Sequence, residues 1–310
     1  MPALVKQRRE FDRVWLIDRD ESARREFAAT VGGESAADLS DVPGGVSFVV
    51  IATPSETHFP IAKAALSQDA HVLIEKPFVV WPAHGRELAD IATARGRIVA
   101  VNQTRRFFPY AKDLRTRVGN GEFGQLRSVV HHEGSKFAWP FRTGSAFGKG
   151  AQRSGVIMDI GVHVLDFYHY ILRPEWALNS STHDGFDGPE GLARIDLLAD
   201  GAPVEIRLSR YVAQDNTACL TFSDATIRLN VHEPARYSCE DRSGARTEFA
   251  GLRSNAGPNT IAEELLLNFV AAGEGGDKAV CDAASALPVI ELLDEIYQRS
   301  GKFSSALGAT

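Results

Sequence analysis

With 310 residues, 44% hydrophobic and 24% charged, the chain has the composition of a globular enzyme of roughly two domains, large enough to bury its cores without disulfide or metal staples. Lys+Arg 34 against Asp+Glu 40 gives a formal net charge of −6, which argues against a nucleic-acid partner. No apolar run approaches the ~20 residues that span a bilayer, so no membrane partner is expected either.

The opening residues MPALVKQRRE are charged almost at once, unlike a signal-peptide core. Cys219, Cys239 and Cys281 lie far apart with no CxxC pair, which fits a cytoplasmic protein with buried free thiols. The first hundred residues alternate short apolar runs with helical patterns, the βαβ signature of a parallel sheet. Val14–Ile17 predicts a strand ending at Asp18, and Ser22–Val31 a helix stopped by Gly32 and Gly33. SFVVIA (47–52) is continuously apolar, as for a strand covered on both faces. A helix over 57–67, a strand over 71–74, a helix over 82–94 and a strand over 98–101 complete this half.

From about Gln125 the pattern changes to alternating apolar and polar residues, at 126–130, 193–197 and 204–208. Such alternation predicts half-exposed strands of an open, mainly antiparallel sheet. One helix over 155–172 interrupts them, and two more over 261–272 and 282–300 close the chain. The expected fold class is α/β: a doubly wound parallel sheet over 1–120, then an α+β domain with a large open sheet over 121–310. The C-terminal helices are expected to pack back.

Four segments carry candidate chemistry. In SGVIMDIGVHVLDFYHYIL, Asp159, His163 and Asp166 share one helical face, a polar stripe that is costly to bury unless paired or functional. Gly161 in mid-helix points to close packing there. IEKPF places Glu75 and Lys76 at a strand end, where open parallel sheets bind ligands, and Pro77 restricts Lys76 to extended geometry. IATPSETH places Thr53 and Pro54 before a helix whose N-terminus favours anions. VNQTRRFFP puts Asn102 and Arg106 after another strand. The pair His131 and His132 would point to opposite faces of a strand, so no metal site is expected.

These motifs together resemble the Gfo/Idh/MocA oxidoreductases, a family that includes glucose–fructose oxidoreductase and inositol dehydrogenase. The resemblance runs over nearly the whole chain, through IATPSETH, EKP, NQTRRF, DIGVH with Asp166, and the last helix running into SGK. It implies a Rossmann-like first domain and hydride transfer between NAD or NADP and a hydroxyl or carbonyl of a sugar, polyol or nucleotide sugar. By the same resemblance, Lys76, His163 and Asp159 match the catalytic set. His163 would take the hydroxyl proton, Lys76 would stabilise the oxyanion, and Asp159 would orient the imidazole or hold a substrate hydroxyl. The cofactor would meet Asp18, Arg19, Thr53, Pro54, His58, Glu75, Lys76 and Asn102; Asp18 favours NAD, while Arg19 leaves NADP open. Arg106 joins Asp159 and His163 as a substrate residue. In the segment 136–153, rich in Gly, aromatic and basic residues, Trp139 and Arg142 would pack over a sugar and bind an acidic group as part of a lid, or else anchor an ordinary surface loop. A homodimer or homotetramer built on the open sheet is also implied.

The chain departs from the family at its start, where the first Rossmann strand and its GxGxxG turn are missing from PALVKQRREFDRVWLID. In the order 3-2-1-4-5-6 that strand is central, so its loss is expected to separate the flanking strands. Three readings stay open: the start is internal to a longer protein; the chain is a variant without dinucleotide binding, working as a non-redox enzyme or a sugar-binding or assembly partner; or another segment or chain supplies the strand.

Overall fold

The computed structural model describes residues 11–136, 153–185, 189–250 and 258–303. Two compact units share the chain discontinuously. The first takes Met1–Phe78, Gly85–Thr104 and Gly257–Ala284; the second takes Val79–His84, Arg105–Ala256 and Ser285–Thr310. The boundary expected near residue 120 thus falls at Thr104, and the closing helices divide between the units.

In the first unit, β1 (Trp15–Ile17) leads through α1 (Glu21–Val31) to β2 (Glu34–Ala36), and the two strands pair in parallel. Asp20 starts α1 by accepting the N–H groups of Ser22 and Ala23, a side-chain cap for otherwise orphan donors. A second parallel sheet joins β3 (Phe48–Ile51), β4 (His71–Ile74) and β5 (Val99–Val101), with α2 (Ser55–Ser67) and α3 (Pro82–Arg95) as crossovers. The unit therefore holds two separate sheets, β1-β2 and β3-β4-β5, the split expected when the central strand is lacking.

One expectation fails here. The run SFVVIA is not covered throughout: Val50 is 54% exposed and only Ile51 in the strand is buried. Among the described residues β3 has a ladder partner on one side alone, β4, so it behaves as an edge despite its central-strand composition. Helix α6 (Pro258–Gly273) completes this core. Its Phe269, 1% exposed, meets the Phe48 ring edge-on, and Phe48 in turn stacks on His71.

The second unit is built on a nine-stranded sheet in the order β13-β12-β11-β10-β6-β9-β8-β7-β14. Its strands are β6 (Leu126–Gly134), β7 (Trp176–His183), β8 (Leu192–Ala199), β9 (Ala202–Ser209), β10 (Thr217–Phe222), β11 (Ala225–Asn230), β12 (Arg236–Asp241), β13 (Arg246–Ala250) and β14 (Gly301–Lys302). All neighbours run antiparallel except β6–β9 and β7–β14. Helices α4 (Pro109–Gly119), α5 (Val162–Leu172) and α7 (Ala283–Arg299) belong to this unit. Alternation along β6 sends His131 and Glu133 into the core and Val130 and His132 to the other face, as the strand period requires.

The expected single helix over 155–172 is in fact two pieces. A π-turn at Ile157–Gly161 runs into α5. Gly161 sits where a Cβ would lie 3.2 Å from Leu208 Cδ1 on β9, the close packing its position suggested. Of the cysteines only Cys281 is buried, while Cys219 and Cys239 are half-buried. No helix among the described residues is long and apolar enough to cross a membrane.

Candidate functional site

In the first unit the expected polar groups line the carboxyl ends of the parallel strands, the ligand-binding edge of such sheets. Thr53 and Pro54 follow β3, Glu75 and Lys76 follow β4, and Asn102 follows β5. The Lys76–Pro77 bond is cis. Asn102 Nδ2 donates to Glu75 Oε1, and Asn102 N–H donates to Ile74 O at 2.8 Å. The β4 and β5 ends are thereby tied together, with Glu75 and Lys76 half-buried.

His58 differs from its expected cofactor role. It is 1% exposed, and its ring nitrogens lie 2.9 Å from Pro77 O and 2.8 Å from Thr53 O. It braces the loops after β3 and β4 instead of opening onto a ligand. At the end of β1, Asp18 and Arg19 are exposed, and Asp18 Oδ1 accepts the Asp20 N–H at 2.8 Å.

In the second unit Asp159 lies on the π-turn and His163 in the first turn of α5, both half-buried. Arg210, just beyond β9, grips Asp159: its Nε donates to Asp159 Oδ2 at 2.9 Å and its Nη2 reaches the same oxygen. Arg210 Nη1 also donates to Ser135 Oγ at 2.9 Å. Sequence reasoning missed Arg210, which reads as an ordinary polar residue in an alternating strand end.

Asp166 leaves the expected stripe altogether. Fully buried, it takes Arg106 Nε at 2.9 Å and Nη2 at 2.7 Å on its two oxygens. Arg106 is 3% exposed and also donates to Ser285 Oγ and Ser285 O, so the substrate contact expected of it is replaced by a core ion pair.

A second buried pair, Arg105 with Glu133, lies beside His131 and Tyr168. Burial alone would raise the Glu133 pKa, but the Arg105 charge and the hydrogen bonds of His131 and Arg105 outweigh it and hold the carboxyl well below the usual carboxylate range. Burial pushes the His131 pKa down. Trp139 and Arg142 lie outside the described residues.

A Rossmann-type unit with polar strand ends, followed by a unit with one large mixed sheet, defines the class of nucleotide-binding α/β protein with a separate sheet domain. The family model described as "Oxidoreductase family, NAD-binding Rossmann fold" matches residues 1–103, and the GFO/IDH/MocA C-terminal domain matches residues 111–231. The chain belongs to the GFO/IDH/MocA oxidoreductase family.

Among curated relatives, the rhizopine catabolism protein MocA of Rhizobium meliloti is 27% identical over 286 residues, 86% of this chain and 80% of that protein. The D-glucoside 3-dehydrogenase of Escherichia coli is 31% identical over 124 residues, 40% of this chain and 35% of that one. The first curated relatives are matched over about a third of their own length. A solved levoglucosan dehydrogenase, in complex with NADH and levoglucosan, shares the fold with a TM-score of 0.80 at 18% identity, covering 96% of this chain and 92% of that one.

The residues present fit a nicotinamide dinucleotide in part. The exposed Asp18 carboxylate suits ribose hydroxyls. Asn102 Oδ1 is buried without a hydrogen-bond partner, an acceptor at the ligand-binding edge that a bound group would satisfy. The sequence spells GxGxxG once, at Gly119–Gly124, but there it connects α4 to β6, the reverse of the strand-to-helix order that cradles phosphate.

Proposed function

We propose that the chain transfers hydride between NAD(P) and a hydroxyl or carbonyl of a sugar, polyol or nucleotide sugar, working in the cytoplasm. The observation that carries this reading is Lys76 at the carboxyl end of β4, braced by the Glu75–Asn102 pair, in a chain that also carries Asp159 on the π-turn and His163 in the first turn of α5. When bound, the nicotinamide accepts or returns a hydride. In the oxidising direction the substrate carbon loses that hydride while its hydroxyl proton passes to the His163 imidazole, a base suited to neutral pH. The Lys76 ammonium stabilises the oxyanion developing on the same oxygen. Asp159, held by Arg210, orients the imidazole or a neighbouring substrate hydroxyl. Asp18, Thr53, Pro54 and Asn102 would hold the cofactor.

The same reading assembles the protein as a homodimer or homotetramer on the open sheet. Its outward face carries Val130, 41% exposed, and a concavity of about 830 Å³ bordered by His132, Cys219, Arg228 and Glu248.

The test is titration with NADH and NADPH, read by energy transfer from tryptophan, followed by a screen of sugars and polyols for NAD(P)H formation. Lys76→Ala and His163→Ala are each expected to lower kcat by about 10²–10⁴-fold with cofactor binding retained. Wild-type turnover in both variants refutes the assigned roles. Failure to bind either nucleotide favours a cofactor-free protein.

A further inference from the structure

The π-turn that carries Asp159 is gripped from outside its own helix, and one residue of that grip lies beyond the catalytic set. Glu190, ahead of β8, is 3% exposed. Its Oε1 accepts the Ile157 N–H at 3.0 Å and the Tyr297 hydroxyl at 2.7 Å, and its carbonyl accepts the Val156 N–H at 2.7 Å. The first N–H groups of a helix have no partner within it, and here a carboxyl oxygen distant in sequence supplies one. The fit is tight. A Cβ at Gly155 would lie 2.2 Å from Glu190 Cδ and 2.3 Å from its carbonyl oxygen, so only glycine lets the turn approach.

The neighbouring residue extends the grip. Gly191 O accepts the Arg210 N–H at 2.7 Å, and the Arg210 side chain holds Asp159. One short segment ahead of β8 therefore fixes both the start of the π-turn and, through Arg210, the carboxylate it presents.

We infer that Glu190 is a positioning residue: it sets the rotation of the π-turn and so the placement of Asp159 and His163 for the proton transfer. This inference rests on the function proposed above. Tyr297, on α7, helps by donating its hydroxyl to the same carboxyl oxygen that takes the Ile157 N–H. An isosteric amide keeps an oxygen acceptor, whereas truncation frees the turn.

The experiment compares Glu190→Ala, Glu190→Gln and Tyr297→Phe with Asp159→Asn and His163→Ala in the full chain. Steady-state kinetics and amide hydrogen exchange at Val156 and Ile157 are measured together. Glu190→Ala is expected to lower kcat about 10–100-fold with KM within about 3-fold, following the sensitivity of catalysis to small misplacements, and to speed exchange at both amides at least tenfold. Glu190→Gln is expected to stay within about 3-fold of wild type in kcat. Tyr297→Phe, the variant retained if Glu190→Ala does not fold, is expected to lower kcat about 3–10-fold by the same logic. If Asp159→Asn and His163→Ala are impaired while a folded Glu190→Ala, or Tyr297→Phe in its place, keeps wild-type kcat and exchange, the positioning role is overturned. If Asp159→Asn and His163→Ala are themselves fully active, it is the proposed function that fails.

Discussion

Asp166→Asn separates a structural reading of the helix motif from a catalytic one. The substitution removes the charge that Arg106 faces, leaving a guanidinium that is 3% exposed and that also donates to Ser285. Breaking a buried pair from one side costs about 3–5 kcal/mol, because the surviving charge stays desolvated. At about 2–4 °C per kcal/mol for a unit of this size, the melting of the second unit should fall by roughly 6–20 °C. The double variant Arg106→Met/Asp166→Leu removes both charges together. It leaves chiefly the Ser285 oxygens short of a donor, a cost of about 1–3 kcal/mol, so it should be more stable than Asp166→Asn alone. Urea denaturation followed by circular dichroism, with calorimetry for the melting temperature, measures both. A single variant within 1 kcal/mol of wild type, by the same bookkeeping, or a double variant less stable than the single, refutes the assignment of Asp166 to the core.

The buried His131–Glu133–Arg105 cluster predicts an acid-sensitive fold. His131 is held low, so the unfolded chain takes up a proton below about pH 6.5 that the folded chain refuses. Glu133 is also held low, so further stability is lost as pH falls through the ordinary carboxylate range. Unfolding free energy measured between pH 8 and 4 should decline, by up to about 1.4 kcal/mol per pH unit for each titrating group; a flat or rising profile contradicts the cluster. Phe269→Ala should destabilise the first unit by about 3–5 kcal/mol, because the ring is 1% exposed against Phe48. Hydrogen exchange should show the loss in β3 and β4 with β8 and β9 unaffected, and a uniform loss across both units would count against the division of α6.

Much of this architecture was legible in the sequence because burial imposes simple periods. The run HVLI reads as a strand and forms one, buried at all four positions. The alternation at 193–197 and 204–208 likewise falls within β8 and β9. What escaped were features set by distant partners. α4 carries its apolar residues in too mixed a stretch to announce a helix, and it is fixed by Tyr110 packing edge-on against Phe167. The π-turn cannot be read from spacing, and the groups bonded to it, Glu190 and Arg210, lie some thirty to fifty residues further along the chain. SFVVIA shows the converse failure: its composition describes a covered strand, whereas coverage depends on a neighbour that composition does not report. For the candidate site, Glu75 and Asn102 read as separate strand-end cofactor contacts, and the structure bonds them to each other. Arg106 and His58 were read as ligand contacts, yet each is spent on protein partners, because a polar residue after a strand looks the same from sequence whether it faces a ligand or a carbonyl.

The division of the first unit along the chain has a consequence for biosynthesis. The chain crosses between units five times, and the first unit closes only with the segment ending at Ala284. On a ribosome adding about 5–20 residues per second, the interval between residue 104 and the end of α6 at Gly273 lasts roughly 10–30 s. Throughout it, Phe48 and His71 wait for a helix that has not yet been made, while β6 to β13 of the nine-stranded sheet are synthesised. Nascent chains should therefore assemble β6 to β13 of the later-encoded unit's sheet before the earlier-encoded core closes, and that core should be the one that engages chaperones during translation.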